Sequence, residues 1–202
     1  MNFQNPWQAS RLSGSAKIGS GHGSSCRGEP IAFMPEPRAD SIRFVCLWEP
    51  LPKLKPTRLN LAHHEAGHII FLEWLGIETQ GAEIGSKGGL THITPNNSTP
   101  QLQPDTDGIA TAIGAACYHA GLMAELLFAG HEPPSGPMRY ASSDFAKADS
   151  MLSECFFGGR SGAHFYAQRY AGHVLSNRWA RVQEVARHLD SYGWFGRLKI
   201  GA

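Results

Sequence analysis

Two histidines four residues apart, His64 and His68, constrain the fold of this chain more than any other feature of its 202 residues. They lie inside an apolar stretch that includes Ala62, Ile69 and Ile70. Because residues four apart share one face of a helix, the spacing predicts a helix that carries both imidazoles on the same side. Polar rings among apolar neighbours are costly unless they have partners, so this face is predicted to have a role beyond packing.

The five residues from His64 to His68 form an HExxH sequence, His-Glu-Ala-Gly-His. Two imidazoles on one helix face can bind the same metal ion, and Glu65 is placed to accept a proton from a water molecule at that metal. The sequence therefore predicts a Zn²⁺ site with His64 and His68 as ligands and Glu65 as the catalytic base. A catalytic site of this kind also needs a third protein ligand and one open position.

Two later acidic residues are candidates for the third ligand. The metzincin class requires a histidine six residues after the second histidine, but Trp74 occupies that position. Glu125 lies in a long apolar segment and would serve in the manner of thermolysin-like enzymes. Asp144 lies at the start of the next predicted helix. The residues by themselves leave both candidates open.

The composition changes near residue 57. Residues 1–56 contain 7 of the 13 prolines and several Gly/Ser clusters, which predicts a flexible arm with one strand at 42–48. Residues 57–202 are predicted to form one mainly α (α+β) domain. Its predicted elements are the HExxH helix from 57 to about 75, a small sheet of two or three strands that includes 81–85 and 89–94, and a bundle of about three helices near 108–128, 142–157 and 163–189.

Capping residues mark the ends of these predicted helices. Gly76 is expected to follow the end of the first helix. Asp105 or Asp107 is expected to cap the long apolar helix, and Ser142 or Ser143 the helix after it.

The charge balance excludes several classes of partner. Lys and Arg total 18 and Asp and Glu total 17, so the net charge of +1 predicts neither nucleic acid nor an anionic membrane surface as a partner. No run of apolar residues approaches the ~18 needed to cross a membrane, so no membrane span is expected. The N-terminus lacks the pattern of a signal peptide, and the expected location is the cytoplasm.

Four segments resemble, in the same order, parts of the peptidase domain of the FtsH family, the membrane-anchored AAA+ zinc proteases. Residues 60–68 resemble the helix that carries HEAGH in that family, and residues 89–95 are similar to its strand pair beside the active site. Residues 121–125, Gly-Leu-Met-Ala-Glu, resemble its G-R-x-A-E stretch. Residues 143–148, Ser-Asp-Phe-Ala-Lys-Ala, resemble the stretch that supplies its third zinc ligand.

This resemblance implies a specific set of site residues. His64, His68 and Asp144 would bind Zn²⁺, and Glu125 would orient a ligand histidine. An extended peptide is expected to add as a strand along the edge beside the site. The residues of that edge are Leu90, Thr91, His92 and Ile93.

The sequence also departs from the family pattern. Leu122 and Leu126 replace the usual Arg and second Glu. This chain contains no GxxxxGK[ST] phosphate-binding loop, so no ATPase module is expected within it. The expected function is that of a zinc metalloendopeptidase that hydrolyses unfolded or flexible protein substrates without binding ATP. The alternatives are a catalytically silent, zinc-stabilised binding or regulatory module, or a peptidase subunit, alone or as a homo-oligomer, that is served by a separate ATPase.

Overall fold

The computed structural model describes residues 47–93, 108–132, 134–153 and 159–196. Within these ranges the chain forms five helices and three strands, which confirms the predicted mainly α (α+β) class. In chain order the elements are α1 (Arg58–Trp74), β1 (Thr79–Gly85), β2 (Gly88–Ile93), α2 (Ile109–Phe128), α3 (Ser143–Leu152), α4 (Gly159–Asn177), α5 (Trp179–Tyr192) and β3 (Trp194–Gly196).

Helices α1 and α2 pack against each other at the centre of the core. A Cβ atom added to Gly67 of α1 would lie 2.5 Å from the carbonyl oxygen of Ala120 and 2.7 Å from the Cβ atom of Ala124, both on α2. The absence of a side chain at position 67 therefore allows the two helices to approach this closely. Helices α3 and α4 cover other parts of α2, and α5 packs on α1.

The sheet is antiparallel, with the strand order β2-β1-β3. Ala82 and Ile84 of β1 are buried and belong to the hydrophobic core, next to α1. The third strand follows α5 directly and places Phe195 opposite Ala82. Within the described residues β2 is an edge strand, which matches the place of the predicted strand pair beside the HExxH helix.

Two of the predicted caps are confirmed. Gly76 follows the end of α1 with a φ of 72°, and the side-chain oxygen of Ser142 accepts a hydrogen bond of 3.0 Å from the backbone N–H of Phe145. The predicted aspartate caps of α2 fall in residues 105–107, outside the described residues, and Gly108 occupies the N-cap position.

The last helix differs from the prediction of one element near 163–189. The helix is interrupted at Arg178, whose φ of −119° and ψ of 20° are not helical, and α5 begins at the next residue. Ser176 and Asn177 precede the break, and such side chains compete with the helix for backbone hydrogen bonds. The break lets α4 pack on α2 and α5 pack on α1, which one straight helix could not do. Helix α3 ends at Leu152, and residues 154–158 lie outside the described part.

The strand predicted at 42–48 lies largely outside the described residues, and Leu47 and Trp48 are not in a strand. The next residue, Glu49, forms an isolated parallel bridge with Met138, and its backbone N–H donates a 2.7 Å hydrogen bond to the carbonyl of Pro137. Leu51 and Leu54 also pack against the hydrophobic core, and residues 1–46 are outside the described part.

One described helix, α2, is long and apolar enough to cross a membrane by length and composition alone. More than half of the qualifying stretch is buried against other parts of the chain, and the core helix of a globular domain meets the same criteria. The absence of a membrane span stays a prediction.

Replacement of Gly67 by Ala should destabilise the fold. The new methyl group would force α1 away from the Ala120 carbonyl, and overpacking of this kind costs about 2 kcal/mol. Urea unfolding followed by circular dichroism would measure the loss. Gly85→Ala is the matched control, because a Cβ atom there meets nothing within 4 Å. Equal stability of the two variants would contradict the close packing of α1 on α2.

Candidate metal centre

Three side chains from two helices bring their ligand atoms together. The Nε2 atoms of His64 and His68 on α1 lie 3.1 Å apart. The Oδ2 atom of Asp144 on α3 lies 3.3 Å from the Nε2 atom of His64 and 3.5 Å from that of His68. These three residues form a group that could hold a metal ion, and no other group of this kind occurs within the described residues.

The spacing of the three atoms suits a small divalent cation. Metal–ligand bonds of about 2.0–2.1 Å in a tetrahedral arrangement place neighbouring ligand atoms about 3.3 Å apart. The observed separations of 3.1–3.5 Å bracket that value. The group fits a cation at the common point of the three atoms.

Both imidazoles are held in the tautomer that such a cation needs. The Nδ1 atom of His64 lies 2.6 Å from Oε1 of Glu125, and the Nδ1 atom of His68 lies 2.8 Å from the carbonyl oxygen of Cys117. A carbonyl or carboxylate oxygen accepts hydrogen bonds, so each Nδ1 carries the hydrogen and each Nε2 presents a lone pair. Glu125 thus contacts His64 on the ring edge opposite Asp144, the arrangement that the family resemblance implies.

The electrostatics of the centre favour a positive charge between these residues. Burial lowers the pKa of His64, but its contacts with Asp144 and Glu125 outweigh burial and raise that pKa to about 10. Burial also opposes the rise at His68, whose contact with Asp144 brings its pKa to about 9. Burial would raise the pKa of Asp144, yet the two histidines hold it well below its usual value. The positive charge is supplied either by an additional proton or by a metal cation.

Helix α2 approaches the centre through a glycine. A side chain at Gly121 would collide with the imidazole ring of His64. Glu125 lies one turn further along the same face of α2 and contacts the same ring. The Gly-x-x-x-Glu spacing at 121–125 therefore lets α2 lie against one ligand histidine and orient it.

Glu65 lies between α1 and the edge strand. It is buried, and its Oε2 atom accepts a 2.7 Å hydrogen bond from the hydroxyl group of Thr91. Gly89, two residues earlier on β2, lies against the same carboxyl group. The charge of Glu65 adds a smaller contribution to the raised pKa of His64, after those of Asp144 and Glu125.

The other three residues of the predicted substrate strand point away from Glu65 or towards solvent. Leu90 and Ile93 are 54% and 48% exposed. The Nε2 atom of His92 lies 3.4 Å from Oε1 of Glu83 on the neighbouring strand. Of these four predicted residues, Thr91 is the one whose side chain is hydrogen-bonded to the predicted catalytic base.

The three side chains of the centre are each partly exposed to solvent. The side chains of His64 and Asp144 are 18% and 19% exposed, and that of His68 is 10% exposed. A cation held by these three residues would have protein ligands on part of its surface and room for a small ligand elsewhere, as catalytic sites require.

Sequence reasoning predicted Glu125 as a residue that orients a ligand histidine, but it missed two other residues near this centre. One is Cys117, whose backbone carbonyl orients His68. The other is His119, which is fully buried against a second histidine, His164. The available signal was the same as at the HExxH helix, namely a histidine in the apolar stretch of a predicted helix.

No protein-family model, curated protein or solved structure matches this chain. The resemblance to the FtsH peptidase domain therefore depends on the four sequence segments alone.

Two substitutions separate the ligand from the residue that orients it. Asp144→Ala removes a converging oxygen and should abolish stoichiometric metal binding. Glu125→Gln keeps a hydrogen-bond acceptor at His64 and should retain the metal with affinity reduced about 10–100-fold. Metal content and competition with a chromophoric chelator would measure both. Loss of metal in Glu125→Gln with retention in Asp144→Ala would exchange the two roles.

Metal binding should release protons. The pKa values of about 10 and 9 at His64 and His68 mean that at least one imidazole of the metal-free protein carries a second proton at about pH 7.5. A metal ligand must be neutral, so that proton leaves when the cation binds. Calorimetric titration in buffers of different ionisation enthalpy would give the number released. Zero protons at this pH would contradict the electrostatic description.

Proposed function

We propose that this protein is a zinc metalloendopeptidase of the FtsH type, without an ATPase module in this chain. The observation that carries the proposal is the position of Glu65. This buried carboxylate belongs to the residue that follows the ligand His64 on α1, and it is hydrogen-bonded to an edge strand that could align a peptide. A site that only stabilised the fold would have no use for a base at this point.

The donor set supports zinc. Two neutral imidazoles and one carboxylate, with tetrahedral spacing and an open side, are the ligands of catalytic zinc sites. The same two-histidine, one-carboxylate set also suits non-haem iron(II), which prefers six ligands. The HExxH spacing, with the glutamate next to the first ligand, favours zinc.

The chemistry assigned to the chain follows from the arrangement. A zinc ion held by His64, His68 and Asp144 would polarise the scissile carbonyl and lower the pKa of a water molecule beside it. Glu65 then takes the proton of the attacking water and passes it to the departing amine. The hydroxyl group of Thr91 fixes the rotamer of Glu65, so that the base is aligned before substrate arrives.

The substrate follows from the geometry of the edge. A peptide that adds to β2 must be extended, because it has to present its backbone N–H and C=O groups to the strand. Folded proteins seldom expose such a segment, so unfolded or flexible chains are the proposed substrates. The absence of a phosphate-binding loop from this sequence means that a folded substrate would need a separate unfoldase.

A silent, metal-stabilised binding module is the second candidate. It would keep the three ligands and the orienting contacts of Glu125 and Cys117. The presence of Glu65 favours the enzyme, since a module without catalysis does not need this buried carboxylate. Metal analysis of the purified protein, with casein cleavage measured in the presence and absence of a chelator, distinguishes the two.

Glu65→Gln should abolish cleavage while the metal is retained. Glutamine is nearly isosteric and can still accept the hydrogen bond from Thr91, but it cannot take a proton. The loss of a general base typically lowers the rate roughly 10²–10⁴-fold. Cleavage of a fluorogenic unstructured peptide would give the rate, and metal content would be measured on the same sample.

Glu73→Gln is the matched control for this experiment. Glu73 lies on the same helix but is exposed, near Arg181. It should leave both the rate and the metal content unchanged. Activity of Glu65→Gln within a few-fold of wild type would assign the base to another residue.

A further inference from the structure

The third ligand of the centre comes from a helix that two other helices hold in place. Asp144 lies in the first turn of α3, and α3 packs on α2 and α4. The two histidines, by contrast, share α1. The distance from Asp144 to the histidines therefore depends on how the first turn of α3 is fixed.

Phe145, the residue after Asp144, is the anchor of that turn. It is buried, and its ring stacks on the imidazole of His164 with centroids 4.6 Å apart and planes 6° from parallel. The ring of Tyr140 meets it edge-on at 5.1 Å, and that of His119 at 6.1 Å. The Phe145 ring thus lies in an aromatic cage formed by His119 of α2, Tyr140 before α3 and His164 of α4.

A chain of hydrogen bonds fixes the two histidines of this aromatic cage. The Nε2 atom of His164 donates to Asp149 at 3.0 Å, and its Nδ1 atom accepts from Nε2 of His119 at 3.0 Å. The Nδ1 atom of His119 then accepts from the hydroxyl group of Tyr140 at 2.9 Å. Arg160 pairs with Asp149 at the outer end. One set of tautomers satisfies every link, so the rings have fixed orientations.

Burial keeps both of these rings neutral. It is the largest cause that lowers the pKa of His119, to about 3, and the largest that lowers the pKa of His164. In this chain of hydrogen bonds each imidazole donates once and accepts once, which a neutral imidazole with a single N–H can do.

Trp48 covers the aromatic cage on its solvent-facing side. Its ring lies 5.4 Å from that of His164 and 6.0 Å from that of Phe145, and the residue is 38% exposed. The backbone beside it is fixed by the hydrogen bond from Glu49 to Pro137. Next to that bond, the side-chain amide of Gln168 accepts a hydrogen bond from the backbone N–H of Met138 and donates one to the backbone carbonyl of the same residue. Trp48 thus contacts Phe145 of the helix that carries Asp144, while the next residue, Glu49, is bound to the segment before that helix.

We propose that Trp48, acting through Phe145 and His164, is a positioning residue for the third metal ligand. It touches no ligand atom. It closes the aromatic cage on Phe145 and so keeps the Asp144 carboxylate within reach of the two imidazoles. The inference rests on the proposed metal site and adds that a segment preceding the HExxH helix sets the geometry of that site.

The test compares two tryptophans. Trp48→Ala should weaken zinc binding about tenfold, the lower end of the effect of changes around metal ligands. The control is Trp74→Ala, which removes a partly buried tryptophan whose ring packs on Phe71 and Tyr170. It should lower stability without changing zinc affinity. Trp48→Phe should restore most of the affinity. Competition with a chromophoric chelator gives the affinities.

Cobalt substitution supplies the spectroscopic readout. The visible absorption of bound Co²⁺ reports the number and geometry of its ligands. In Trp48→Ala it should shift towards the spectrum of Asp144→Asn, whereas in Trp74→Ala it should match wild type. In a double-mutant cycle with Phe145→Leu, the effect of Trp48→Ala should largely disappear, because both changes open the same cage.

The possible outcomes are distinct. Wild-type affinity and an unchanged cobalt spectrum in Trp48→Ala would overturn the positioning role, as would equal losses in Trp48→Ala and Trp74→Ala. Additive effects of Trp48→Ala and Phe145→Leu would also overturn it. Failure of the wild-type protein to bind zinc or cobalt would instead overturn the proposed function.

Discussion

The close approach of α1 to α2 is the constraint on which the metal centre depends. Gly67 removes the side chain that would separate the helices, and Gly121 removes the one that would displace His64. At this separation α2 presents two acceptors to α1, the carboxylate of Glu125 and the carbonyl of Cys117. One packing interaction therefore fixes the tautomer and direction of both imidazoles, and the ligand atoms converge as a consequence.

Convergence has an electrostatic cost that the fold does not remove. With both Nδ1 atoms used as donors, the neutral imidazoles and the carboxylate of Asp144 direct lone pairs at one point. The raised pKa values of His64 and His68 express the resulting demand for a cation there. A metal that meets this demand binds the folded chain and has no preformed site in the unfolded one, so its binding energy also stabilises the fold.

The sequence was sufficient for the parts that depend on local periodicity. The spacing of His64 and His68 predicts α1 and its ligand face, and the caps at Gly76 and Ser142 depend on single residue types. The choice between Glu125 and Asp144 could not be made from spacing, because it depends on which side of the His64 ring each carboxylate reaches after α2 and α3 have packed. Cys117 orients His68 through its backbone carbonyl, so the identity of its side chain does not indicate this role. The break at Arg178 is similar, since it reflects the need of α4 and α5 to cover different helices more than the propensity of the residues around it.

The two clearest departures from the family pattern fall in the core. Leu122 and Leu126 are one turn apart on α2 and only 4% and 3% exposed, and both belong to the hydrophobic core. None of the contacts that orient the ligand histidines involves either side chain. An arginine and a glutamate at these two places would need partners, whereas two leucines need only apolar neighbours. Leucines at these two positions therefore suit the packing of α2, whereas Gly121 and Glu125 are the residues of this helix that lie against the ring of His64.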